Sequence, residues 1–314
     1  MKFRKAISSD IPLIINLLKI SLGEQRMPKT MAFWNWKHIE NPFGESLLLL
    51  AESNNQIIGL RAFMKWEWED QNRTWKALRA VDTAIHPDYQ GKGIFTKLTR
   101  TLLLQAAEEN YDFIYNTPNK NSLPGYLKMG WQKLGHLPIQ VQLNLNFKNS
   151  KVPLPKATDA NTFINICKKV KNRKNTRLST NNHLNFLIWR YLYCPQFNYQ
   201  FLTDENTYLL IFRIKETAFG REFRILDILT LSENKKINFI LLNKEIRKIQ
   251  LKYGIVYSSF MKSKRISLPK FFTLPFSAFL PLMTLRKVSD NTDLPYQLLD
   301  INNWDFTLGD MELF

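Results

Sequence analysis

Residues 86–98 read His-Pro-Asp-Tyr-Gln-Gly-Lys-Gly-Ile-Phe-Thr-Lys-Leu, and the glycines at 91 and 93 restrict what can stand on either side. Residues 77–85 are rich in apolar, β-compatible side chains, whereas Ile94, Leu98, Leu102 and Ala106 recur at helical spacing. A strand must therefore turn into a helix here. The first turn of a helix exposes unpaired N–H groups and the positive end of the macrodipole. Gly91 and Gly93 lack the Cβ atoms that would hold a phosphate away, and they permit left-handed backbone, so successive amides can converge on one diphosphate. Lys92 and Lys97 add positive charge. Neither a Walker loop nor a dinucleotide fingerprint fits better, because Lys92 is not followed by Ser or Thr and no third glycine has the required spacing. The plain alternative is a strand-to-helix turn without a ligand.

The flanking segments have a definite order. Residues 3–7 read as a strand and 11–20 as a helix entered through Ser8, Ser9 and Asp10, with Pro12 in its first turn. A short helix follows at 31–39. Residues 47–52, a Ser53-Asn54-Asn55 turn and residues 57–66 form a hairpin, and a polar turn at 69–73 leads into the strand before the glycine loop. Beyond the long helix, 111–116 reads as a strand, 119–129 as a polar-entered helix and 137–147 as an alternating, closing strand.

In this setting Gln90-Gly91-Lys92-Gly93 resembles the acetyl-CoA pyrophosphate loop of the GCN5-related N-acetyltransferases, the GNAT family. The family pattern is Arg or Gln, two residues, Gly, one residue, then Gly or Ala. Gln90 and Gly93 fit, while Phe95 stands where the family usually has a small residue. The segment order is also that of the family, and the resemblance covers residues 1–147. A second element, residues 119–131, resembles the family segment in which an Asn follows the splayed strand and a Tyr precedes Gly-Phe or Gly-Trp by four residues. The resemblance implies acetyl-CoA as acyl donor, held by Thr83, Ala84, Ile85, Gln90, Gly91, Lys92, Gly93, Ile94, Phe95, Thr96, Asn119 and Ser122. It implies Tyr126 as the acid that protonates the departing thiolate. A phenol of reference pKa about 10 can give its proton to a thiolate of reference pKa about 8.5 when the two touch. The alternative for Tyr126 is a packed aromatic on an amphipathic helix that Gly130 terminates.

An alkylamine, with a reference pKa of about 10.4, is almost wholly protonated at pH 7, so attack requires a base or a water chain. Asp82, on the strand leading to the loop, is the first candidate and Glu52, on the preceding hairpin, the second. Glu67, Glu69 and Asp70 could line a substrate mouth or be a solvated hairpin end, and His86, before Pro87, reads as structural. The expected mechanism is direct transfer, with N–H groups of strand 81–85 pairing with pantetheine amides and one polarising the thioester carbonyl. No histidine forms a metal-ligand spacing, and Cys167 and Cys194 lie far along the chain from the loop, without a diagnostic His.

Beyond residue 150 the chain resembles itself. Phe33-Trp34-Asn35-Trp36-Lys37-His38 aligns with Phe186-Leu187-Ile188-Trp189-Arg190-Tyr191, and Pro42 with Pro195. Arg79-Ala80-Val81-Asp82 resembles Arg224-Ile225-Leu226-Asp227, with hairpin strands at 201–202 and 207–215 between the two matches. After Asp227 no glycine precedes the next helix, which leaves no provision for a diphosphate. The alternative is a coincidental Trp-containing helix in an unrelated C-terminal domain.

These observations predict an α/β (α+β) chain of two tandem GNAT-like domains, each a mixed, mostly antiparallel sheet flanked by helices. A catalytic domain at 1–147 is followed by a linker at 148–156 and a degenerate domain at 157–314. At 314 residues and 45% hydrophobic content the chain can build two cores. Residues 271–285 are conspicuously apolar, but Pro275 and Pro281 interrupt a run already shorter than the roughly 20 residues a bilayer needs. They read as buried strands of the second domain, against a membrane-touching or partner-binding patch. Two cysteines and the absence of a charged-then-apolar leader point to the cytoplasm. Residues 304–314, with Asp305, Asp310 and Glu312, could fold back to offer other bases.

The net charge of +17, densest at Lys168, Lys169, Lys171, Arg173, Lys174 and Arg177, fits a nucleic-acid partner, an anionic substrate, an acidic membrane surface or mere solubility. The leading reading is an acetyl-CoA-dependent N-acetyltransferase acting on a primary amine of a small molecule, with an amino sugar favoured. The alternatives are an aminoacyl-tRNA-dependent transferase, and a non-catalytic acyl-CoA-sensing or RNA-binding protein.

Overall fold

Pro12, Thr30 and the Asn54-Asn55 pair set the first two helices and the hairpin that follows them. In the computed structural model, which describes residues 1–314 except 25–26, 146–149, 156–157, 172–175, 264–265, 267, 274–279, 289–295 and 312–314, β1 (Lys2–Lys5) lies antiparallel to β2 (Leu47–Ser53). Helix α1 (Ile11–Leu22) carries Pro12 in its first turn, where the missing N–H costs nothing, and buries Ile14, Ile15, Leu17 and Leu18. Helix α2 (Met31–His38) is capped by Thr30 Oγ1, which accepts from Phe33 N at 3.2 Å. It buries Trp34, Trp36, Lys37 and His38. The β2–β3 turn places Asn54 and Asn55 at φ of +51° and +60°, a conformation asparagine tolerates well, and β3 (Gln56–Glu69) returns along β2.

The chain divides into two compact units, residues 1–135 with 281–303, and residues 136–280 with 304–314. Each is a mostly antiparallel sheet with helices against it, as the sequence predicts. In the first unit the strand order is β1-β2-β3-β4-β5-β14-β6, comprising also β4 (Thr74–Ile85), β5 (Phe113–Asn116), β6 (Gln132–His136) and β14 (Leu282–Lys287). Helix α3 (Ile94–Glu108) packs Leu98, Leu102 and Ala106 against Leu49, Phe63 and Leu78, and the short α4 (Leu123–Lys128) adds Tyr126 to the same core. Strands β4 and β5 run parallel only from Ala77 to Arg79 against Phe113 to Tyr115. Past Arg79, β4 has no such pairing with β5, and that parting of the strands positions the site.

In the second unit β7 (Ile139–Leu143) and α5 (Ala160–Cys167) precede the two-residue β8 (Ser179–Thr180), then α6 (Leu184–Leu187), which continues as a π-helical turn over Ile188–Leu192. Strands β9 (Gln200–Thr203), β10 (Tyr208–Thr217) and β11 (Gly220–Thr230) form a meander. Helix α7 (Phe239–Tyr253) leads to β12 (Ile255–Met261), which pairs in parallel with β11 from Arg221 to Arg224. The short β13 (Phe272–Thr273) completes the order β13-β7-β12-β11-β10-β9, and α8 (Leu308–Met311) packs on β11.

Three expectations change. The closing strand expected over 137–147 breaks at Pro138, which has no N–H for a ladder; β6 ends at His136, and β7 pairs antiparallel with β12 in the second sheet. Residues 146–147 lie outside the described residues. The apolar stretch 271–285 is not confined to the second unit, because β14 pairs antiparallel with β5 in the first sheet. The helix expected from 119 begins only at Leu123, since Asn119 Oδ1 accepts from Asn121 N at 3.0 Å and Ser122 N at 2.9 Å and holds that stretch as a turn. Among the described residues, no helix is long and apolar enough to cross a membrane.

Candidate active site

The glycine loop has the backbone its sequence calls for. A 3₁₀ turn at Pro87–Tyr89 is entered through His86, whose Nδ1 accepts from Asp88 N at 3.4 Å, so His86 has the structural part expected of it. Gly91 and Gly93 have φ of +74° and +73°, and a Cβ built at either would meet nothing within 4 Å. Gly93 is the left-handed N-cap of α3, and no side chain caps the helix. The first-turn amides of a 15-residue helix thus have no side-chain cap, and the space beside the two glycines is open, a setting suited to an anion. Lys92 leans back, donating to the Asp88 carbonyl at 2.9 Å and lying 4.7 Å from the Tyr89 ring centroid. Gln90 Nε2 donates to the Ile85 carbonyl at 3.2 Å, which also accepts from Ser21 Oγ.

Upstream, the pairing of β3 with β4 shifts register between Leu60 and Ala62, which face Ala84 and Val81. Asp82 and Thr83 bulge there, with Asp82 at φ +40°. The bulge sends the two side chains to different partners. Asp82 Oδ2 accepts from Lys37 Nζ at 2.5 Å and lies 2.9 Å from His38 Nε2, while His38 Nδ1 lies 2.9 Å from Ser46 Oγ. Burial pushes the Asp82 carboxyl up, but Lys37 and His38 outweigh it and hold the group well below the usual carboxylate range. Burial lowers both Lys37 and His38. A carboxylate so stabilised is a weak base. The Asp82 side chain is 14% exposed and can still attract an ammonium group.

Thr83 Oγ1 accepts from Arg61 Nη1. Arg61 is fully buried, its guanidinium carbon 4.8, 5.4 and 5.2 Å from the ring centroids of Phe63, Phe95 and Tyr126. Tyr126, 4% exposed, stands edge-on to Phe95 and to Trp131. The structure therefore brings Thr83, Phe95 and Tyr126 together around Arg61. Phe95, where the family pattern has a small residue, also presses on Gly125, at which a Cβ would come within 2.9 Å of Phe95 Cε1. Ala84 and Ile94 are buried, and Thr96 follows in the first turn of α3.

Other candidates stand apart from this cluster. Glu52 accepts from Arg4 Nε at 2.6 Å beside Asp10, at the β1 side of the sheet. Asn119 and Ser122 are engaged with each other in the turn before α4. Asp70 caps its own hairpin turn, accepting from Asn72 N and Arg73 N, and burial raises Glu69. Asp305 Oδ1 accepts from Ser263 Oγ at 3.0 Å and Asp310 Oδ1 from Thr180 Oγ1 at 2.6 Å within the second unit, so neither is free as a base; Glu312 lies outside the described residues. Burial pushes the Cys167 thiol up to about 12 and raises Cys194, which suits neither to nucleophilic attack at neutral pH. Among the described residues, no three His, Cys, Asp or Glu side chains gather as metal ligands.

Sequence reasoning missed Lys37, His38 and Arg61 as site residues. The first two carried a signal in the internal repeat, where a basic residue and a ring recur as Arg190-Tyr191. Arg61 carried a fainter one, a lone cation in the apolar run from Ile57 to Phe63.

A family model described as an acetyltransferase (GNAT) domain matches residues 2–134. This segment belongs to the GNAT family. The first unit is accordingly a GNAT acyltransferase domain, with its glycine loop, bulged β4 and Tyr126 all inside the matched region. Solved structures share the fold over nearly the whole chain. A GCN5-related N-acetyltransferase from Anabaena variabilis superposes with a TM-score of 0.66 at 17% identity, covering 92% of this chain and 73% of its own. A probable N-acyltransferase from Enterococcus faecalis gives 0.65 at 13% identity, over 91% and 72%. A GCN5-related N-acetyltransferase from Kribbella flavida gives 0.56 at 12% identity, over 91% and 72%. No curated protein matches the sequence.

Proposed function

We propose that the protein is an acetyl-CoA-dependent N-acetyltransferase acting on the primary amine of a small molecule. The observation that carries this reading is the uncapped start of α3 between two left-handed glycines, at the end of a strand that has parted from its parallel neighbour. The amides from Gly91 to Thr96 would hold the diphosphate, and the edge of β4 from Thr83 to Ile85 would pair with the pantetheine. Bound acetyl-CoA supplies the activated acyl group.

Tyr126, nearly buried and edge-on to Phe95 and Trp131, holds the proton the leaving sulfur needs. Asp82, anionic across the neutral range, orients the acceptor ammonium. Because its basicity is low, the amine proton leaves through water at the exposed edge of the carboxylate. No covalent enzyme intermediate is needed.

Calorimetric titration with acetyl-CoA and CoA tests the reading. One site per chain is expected, and Gly93→Glu, which adds bulk and negative charge to the cradle, should abolish binding while circular dichroism shows an unchanged fold. Absence of wild-type binding would refute it; unchanged affinity in the variant would move the site elsewhere. After binding, a panel of amines led by amino sugars would identify the acceptor.

A further inference from the structure

Arg61 poses an electrostatic problem that the site described so far does not solve. It lies within a strand whose neighbours Leu60, Ala62 and Phe63 are fully buried, and it is itself 0% exposed. Guanidinium has five N–H bonds and no acceptor, and inside a protein it retains its charge only where opposing charge or acceptors compensate for lost water. Here Nη1 donates to Thr83 Oγ1, but among the described residues Nε and Nη2 have no hydrogen-bond partner. Three aromatic rings form its walls. Ring faces attract a cation without satisfying its N–H groups. Burial pushes the guanidinium down, and Tyr126 pushes the other way, through charge and a side-chain hydrogen bond. Among the described residues no carboxylate pairs with it, unlike Lys37, which has Asp82.

A buried cation that lacks a carboxylate among the described residues, next to the expected acid, is suited to charge that appears only during the reaction. We propose that Arg61 receives the negative charge that develops on the departing sulfur, through its free Nε–H and Nη2–H groups. As the amine nitrogen bonds to the acyl carbon, the carbon–sulfur bond breaks and its electron pair goes to sulfur. Tyr126 then supplies the proton. Arg61 remains protonated throughout and transfers nothing. Thr83 fixes the guanidinium through Nη1, and Phe95 forms one wall, which gives this bulky residue a purpose in a position where the family pattern has a small one.

This inference rests on the proposed acetyl-CoA site, and its test reads protons rather than turnover. Calorimetry of CoA binding at pH 8, in two buffers of different ionisation enthalpy, counts the protons released. A free thiol of pKa about 8.5 is mostly protonated at pH 8, so binding as thiolate against Arg61 releases up to about 0.8 proton per site. Wild type should show most of that release, and S-methyl-CoA, which has no thiol proton, should show none. Arg61→Met should bind CoA with the release lost, whereas Arg61→Lys should restore part of it. Binding of CoA by the wild type without proton release would overturn the role of Arg61 and leave the acetyl-CoA site standing. Equal release from Arg61→Met would do the same. Absence of wild-type binding would remove both. If Arg61→Met does not fold, the comparison of CoA with S-methyl-CoA on wild type and Arg61→Lys still decides.

Discussion

The two units place the same device at the same point and set it to opposite electrostatic ends. In the first, α2 presents Lys37 and His38 to Asp82, three residues after the last parallel pair of β4 with β5. In the second, the helix at 184–192 presents Tyr191 to Asp227, three residues after the last parallel pair of β11 with β12. Both hairpins shift register beside the aspartate. Yet Arg190, the counterpart of Lys37, donates to the Gly309 carbonyl at 3.1 and 2.8 Å and to Tyr199 Oη at 2.7 Å. Burial and the neighbouring Asp310 push Asp227 up to about 7. A buried carboxyl group in one fold position becomes a fixed anion beside Lys37 and His38, or a held proton beside a second carboxyl group.

The helix starts differ in the same sense. The α3 amides have no side-chain cap, whereas Asn238 Oδ1 accepts from both Ile240 N and Leu241 N at the start of α7. A helix that satisfies its own first amides has none to offer a diphosphate. The two helix starts can therefore be told apart by how the orphan N–H groups are answered.

If the chemistry belongs to the first unit alone, Tyr126→Phe should lower turnover by about 10²- to 10⁴-fold with CoA affinity unchanged, whereas Tyr191→Phe should leave turnover near that of wild type. Steady-state kinetics beside calorimetry would show this. Equal losses would end the asymmetry.

The two aspartates should respond oppositely to pH. Asp82 is lowered below its unfolded value, so its stabilisation is present above about pH 4 and lost as the pH falls below it. Asp227 is raised, so between about pH 4 and 7 the folded state holds the extra proton, and stability falls as pH rises through that window and levels off above it. Asp82→Asn should cost about 3–5 kcal/mol at pH 7 by stranding Lys37, while Asp227→Asn should flatten the decline between pH 4 and 7. Hydrogen exchange in β4 and β11 separates the two. A decline that persists in Asp227→Asn would place the proton elsewhere.

The smallest effect expected is at the helix cap. Asn238→Ala should destabilise the second unit by about 1 kcal/mol without creating CoA affinity. New binding would mean that the cap alone, and not the missing glycines, keeps the cofactor out.

Much of this was legible in the chain. Gly91 and Gly93 announce their backbone because few other residues adopt positive φ, and Asn54-Asn55 announce the hairpin. The repeat exposed both aspartates and the helix residues that meet them, although not the direction in which Arg190 turns, since that depends on Gly309 more than a hundred residues later in the sequence. Strand partners were the least readable. The alternation in β7 suits any half-buried position, and nothing local tells Leu282–Lys287 to lie beside β5. Arg61 was hidden because burial, the property that makes it unusual, is tertiary.

The insertion of β14 between β5 and β6 has a consequence for biogenesis. On a ribosome adding about 5–20 residues per second, β5 emerges on the order of ten seconds or more before the strand that covers its open edge. Until then the acyltransferase half presents unpaired backbone to any neighbouring extended chain, and only continued elongation of the same polypeptide closes it.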